Sequence, residues 1–116
     1  MTEQTNWKHY LLNDDDVADF IIKGYLIVDT GVKQEVNRSI LARLNSLDSN
    51  PGDKITEVAP QLSEIYDHPR VRGALSSLLG HDYSMNEHRH CHRNPSGSRS
   101  QIWHQDSLDT SSLHQR

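Results

Sequence analysis

The chain has 116 residues, of which 34% are apolar and 24% charged, with a formal net charge of −4 at pH 7. That composition describes one domain at most, and a lean one beside the roughly 45–50% apolar share of ordinary globular domains. The twelve Lys and Arg form no basic stripe between aromatics, which argues against a nucleic-acid partner, and the longest apolar runs, Phe20–Ile22 and Tyr25–Val28, are too short for a signal core or a bilayer span. A soluble, cytoplasmic protein is expected, and the single cysteine, Cys91, excludes both an intrachain disulfide and a cysteine-based zinc knuckle.

The apolar residues crowd into the first 80 positions, whereas six of the eight His lie beyond them. In chain order, Asn13 before Asp14, Asp15 and Asp16 predicts a helix start, because a capping side chain and first-turn carboxylates satisfy free amides and oppose the helix dipole. Val17, Phe20 and Ile21 continue at helical spacing, and Lys23-Gly24 predicts the stop. Tyr25-Leu26-Ile27-Val28, bounded by Asp29-Thr30-Gly31, predicts a short buried strand. A second helix is expected from about Val32 to Leu47, where Val32, Val36, Ile40, Leu44 and Leu47 form one apolar stripe with Lys33, Glu35, Arg38 and Arg43 outside it. Ser49–Asp53 is a turn cluster. Leu62, Ile65 and Tyr66 suggest a short helix, and Pro69 suits the first turn of another, with Val71, Ala74, Leu75, Leu78 and Leu79 inward and Gly80 ending it.

From Asp82 the period changes to two. Tyr83, Met85, Glu87, Arg89 and Cys91 would share one face of a strand, and Ser84, Asn86, His88, His90 and His92 the other. Asn94–Ser98 is a loop, a second extended segment runs through Gln101, Ile102 and Trp103 to His104-Gln105-Asp106, and residues 107–116 form a polar tail. In a strand, His104 and Asp106 would lie on one face with Cα atoms roughly 6–7 Å apart. An imidazole and a carboxylate so placed are two-thirds of the facial set of two His and one carboxylate that holds non-haem Fe(II). On spacing alone, an exposed pair in a polar loop is the commoner case. The strand histidines leave another reading open, a non-catalytic metal-binding module using His88, His90 or His92 with His104. Because His88 and His92 would be about 13 Å apart in a strand, one ion could take two neighbours at most.

The stretch EHRHCHRNPSGSRSQIWHQDS, Glu87–Ser107, resembles the segment of the phytanoyl-CoA dioxygenase family in which a strand, a Pro/Gly loop and a Trp-His-x-Asp run carry the first two iron ligands. Val17–Val28, VADFIIKGYLIV, is similar to that family's opening of helix, Gly-Tyr and apolar strand. The resemblance implies an α+β fold in which N-terminal helices (13–80) pack on the first strands (81–106) of a double-stranded β-helix, or jelly roll, left incomplete. It implies His104 and Asp106 as metal ligands, Fe(II) as the metal, 2-oxoglutarate as co-substrate with His90 as a contact to it, and hydroxylation of a small organic substrate. The family's third ligand, a His, and the Arg that pairs with 2-oxoglutarate lie on later strands. After Asp106 the chain holds only His114 and Arg116, in a Ser/Thr/Gln tail, so the resemblance implies an N-terminal part of such an enzyme, inactive alone. Unpaired strand edges would then favour self-association, or pairing that completes another chain's roll.

Overall fold

The computed structural model describes residues 6–89 and 91–102. Helix α1 spans Asp14–Lys23, and it begins and ends as its residues dictate. The Asn13 side chain accepts the Asp16 N–H at 2.8 Å, and three Asp occupy the first turn. At the other end Gly24 takes φ 78°, a left-handed conformation that any Cβ would strain, and its N–H bonds the Phe20 carbonyl at 2.8 Å. Helix α2 spans Gln34–Asn45, shorter than its apolar stripe. The backbone at Lys33 is extended, with ψ 142° and no side-chain cap, which places Val32 outside the helix. The stripe itself survives: Val32, Val36, Leu44 and Leu47 are half-buried and Ile40 is buried, while Lys33, Glu35, Arg38 and Arg43 are exposed.

Short turns of helix follow, α3 (Ile55–Val58) and α4 (Ser63–Tyr66), joined to each other and to the preceding loop by 3₁₀ turns at Gly52–Lys54 and Pro60–Leu62. The Pro60–Leu62 turn is the hub, packing against α2, α3 and α4. Helix α5 spans Pro69–Leu79; proline stands in the first turn, where no N–H is needed, and Gly80 at φ 90° ends it.

A strap that sequence reasoning did not anticipate crosses α5. Trp7–Tyr10 forms a 3₁₀ turn against that helix, followed by Leu11 and Leu12. Its contacts are Arg70, Gly73 and Ser77, which spacing of three and four residues places on one side of α5. The Arg70 guanidinium sits 5.8 Å from the centre of the Tyr10 ring, a cation–π distance, and also donates to the Asp29 carbonyl at 3.0 Å. Ser77 Oγ accepts the Leu12 N–H at 2.9 Å while donating to the Gly73 carbonyl at 3.0 Å. Gly73 makes the approach possible, because a Cβ there would overlap the Tyr10 carbonyl oxygen and lie 2.5 Å from its carbonyl carbon.

The core is thin. Among the described residues only Ile40, Ala59 and Ala74 are buried apolar side chains. The radius of gyration is 17.0 Å, where a compact chain of about 100 residues has roughly 13 Å.

Three expectations are corrected. Every regular element among the described residues is helical, so the α+β jelly-roll arrangement, with helices packed on strands, is not what this chain forms there. Tyr25–Val28 and Tyr83–Arg89 have no ladder, because a strand needs a second strand to accept and donate along its edge, and none lies beside either segment among the described residues. Tyr25 and Ile27 are 61% and 87% exposed as a result. Leu79, expected inward, is 65% exposed and borders an open groove of about 430 Å³ with Tyr66, Tyr83 and Met85. No helix among the described residues is long and apolar enough to cross a membrane.

Candidate functional site

The residues singled out from the sequence fall into two groups. His90, His104 and Asp106 lie outside the described residues, as do His114 and Arg116. His88, His92 and Cys91 are described, and they belong to a segment tied down by side chains instead of a ladder.

That tie is built from the turn cluster after α2. The Asn50 carboxamide oxygen accepts the Gly52 N–H at 2.9 Å, which shapes the turn. Its amide nitrogen then donates to the Cys91 carbonyl at 2.7 Å. Two residues past Pro51, the Asp53 carboxylate accepts the Arg89 N–H at 3.0 Å and faces His88 Nδ1 at 3.5 Å. The Asp53 carbonyl accepts from Arg89 Nε at 3.4 Å, and the Arg93 guanidinium donates to the Leu44 carbonyl in the last turn of α2. Backbone groups that a neighbouring strand would satisfy are met here by Asn50 and Asp53, which is the physical alternative to pairing.

The arrangement leaves a cleft of about 330 Å³ between the end of α2 and the segment, lined by Leu44, Leu47, Asn50, Pro51, Cys91 and Arg93. Cys91 is a half-buried free thiol in that wall. His88 and His92 are exposed. Among the described residues, no three His, Cys, Asp or Glu side chains are grouped to hold a metal ion. Sequence reasoning took Asn50 and Asp53 as turn formers and missed that they reach across about 40 residues of chain to residues 89–91. The available signal was the chemistry of Asn, which carries both an acceptor and two donors and so can shape its own turn while holding a second segment.

Removing this clamp has a local consequence. Asp53→Ala is expected to raise hydrogen exchange at the Arg89 amide about fivefold, corresponding to about 1 kcal/mol for one such bond, with little change at amides of α5. Unchanged exchange at Arg89 would show that Asp53 does not hold the segment in solution.

No protein-family model, curated protein or solved structure matches the chain.

Proposed function

We propose that this chain carries the first two iron ligands of an Fe(II)- and 2-oxoglutarate-dependent oxygenase of the phytanoyl-CoA dioxygenase type, working in the cytoplasm on a small organic substrate. The observation that carries the reading is the run Trp103-His104-Gln105-Asp106 at the end of the Glu87–Ser107 stretch. The order of a capped helix, a terminating Gly24, an apolar Tyr25–Val28 and a second amphipathic helix supports it.

Imidazole nitrogen and carboxylate oxygen suit Fe(II), so the donor pair fits the metal in kind, and two donors leave coordination sites for other ligands. Bound iron and 2-oxoglutarate would supply the oxidising chemistry of hydroxylation. The chain's own part would be to bind and orient: His104 and Asp106 would hold the metal, and His90 would contact the co-substrate. The clamp of Asn50 and Asp53 on Arg89 and Cys91 secures the backbone on both sides of position 90.

Anaerobic titration of the 116-residue chain with Fe(II) tests this reading. Asp106→Ala is expected to weaken iron binding at least tenfold, and His90→Ala to weaken it less while lowering 2-oxoglutarate binding to the iron-loaded chain. Equally tight zinc binding by both variants, lost only when His88, His90 and His92 are replaced together, would instead establish a histidine-based metal-binding module.

A further inference from the structure

Helix α1 bears a broad apolar surface, half-buried along one edge and exposed along the other. Val17 and Phe20 are half-buried, whereas Ala18, Ile21 and Ile22 are exposed, Ile21 by 73% and Ile22 by 79%. Spacing of three and four residues joins those three into one outward strip. Just past the Gly24 cap, Tyr25 and Ile27 add exposed apolar surface of 61% and 87%. A surface that broad is one a helix ordinarily buries, yet no other helix packs extensively on α1 among the described residues.

We infer that the face made by Ala18, Ile21, Ile22, Tyr25 and Ile27 docks on the same face of a second copy of this chain, with the two α1 helices antiparallel about a two-fold axis. The size is right. These side chains expose roughly 600 Å² per copy, so a pair that covered them fully would bury at most about 1,200 Å², the lower end for specific association. The charge pattern selects the direction. Asp14, Asp15 and Asp16 stand at one end of α1 and Lys23 at the other, where Lys23 bonds Asp19 at 2.5 Å. Antiparallel pairing sets the acidic turn of each copy beside the Lys23 end of its mate, whereas parallel pairing would stack two acidic turns. Ala18, the smallest residue of the strip, lets the two backbones come close at the crossing. Such a contact is self-complementary and closes at two copies. Association therefore runs through a helix face, and it requires no unpaired strand edge.

Light scattering after size exclusion, on the full chain at 10 to 100 µM, tests the inference. The expected mass is about twice 13.3 kDa. Ile22→Lys puts a charge at the centre of the face while replacing an exposed side chain, and it is expected to weaken association at least tenfold with unchanged helical circular dichroism. Leu79→Lys, at an exposed leucine elsewhere, is expected to leave the dimer intact. A monomeric wild-type chain across the range would overturn the inference and leave the face to a different protein. Open-ended oligomers, a dimer that survives Ile22→Lys, or equal loss in Leu79→Lys would overturn it as well.

Discussion

Gly73→Val is expected to destabilise the chain by about 2–3 kcal/mol. The added side chain must occupy space already taken by the Tyr10 main chain, and two responses are open. If the strap stays docked, backbone and side chains shift at the usual cost of overpacking, about 1–3 kcal/mol. If it detaches, the Leu12 N–H loses Ser77 and Arg70 loses the Tyr10 ring, about 1 kcal/mol and at least 0.5 kcal/mol, together with the apolar area under Trp7 and Leu12. Both responses cost stability, and they differ in fluorescence. Trp7 is half-buried in the docked strap, so detachment shifts its emission to the red. With Trp103→Phe as background, a lowered urea midpoint with a red-shifted Trp7 is the expected result. A midpoint within about 0.5 kcal/mol of the parent, with unshifted emission, would show that the strap does not lie on Gly73 in solution.

Ile40→Ala is expected to cost about 2 kcal/mol. Ile40 is the one large apolar side chain among the described residues that is buried, at 7% exposure, and it stands at the centre of the α2 stripe. Large-to-alanine changes in closed cores cost about 2–5 kcal/mol, and the low end applies where neighbours are only half-buried and can relax into the space. Leu41, next along the helix and 59% exposed, supplies the contrast: Leu41→Ala should move the midpoint by less than about 0.5 kcal/mol. Equal effects at the two positions would mean that α2 does not present Ile40 to the interior.

The three longer helices were legible in the sequence because their determinants are local. Asn13, Gly24, Pro69 and Gly80 act within a turn of the residues they cap, and the α2 stripe depends only on 3.6-residue periodicity. The strands were misread for a related reason. The expected period of two survives in burial only around Arg89 and Cys91, half-buried between exposed His88 and His92, whereas Met85 and Glu87, expected on the same face as Tyr83, are as exposed as Ser84 and Asn86. Periodicity reports which side a residue faces, whereas a strand also requires a partner edge, and that is a property of the rest of the fold. Tyr25–Val28 repeats the lesson, since Leu26 and Val28 are half-buried and Tyr25 and Ile27 exposed without any ladder. The strap was hidden because its recognition surface is spread along α5 as Arg70, Gly73 and Ser77. A glycine inside a helical pattern was the one local sign that another backbone comes close. Of the candidate site, the anchored segment around His88–Arg93 is in view, and His90, His104 and Asp106 fall outside the described residues.

The bond between Leu12 and Ser77 joins residues 65 positions apart, whereas the contacts among α2 to α5 are mostly between neighbours in the chain. That separation orders the events of folding. Local helical contacts form before loop closure over so long a span is rewarded, so the strap docks after the body it crosses. Strap positions should therefore have φ-values near zero, and Gly73→Val should accelerate unfolding while leaving the folding rate nearly unchanged. During synthesis the same order is enforced by geometry. Trp7–Leu12 leaves the ribosome before α5 and has nothing to dock on until α5 has followed it, so a segment made earlier finds its place later.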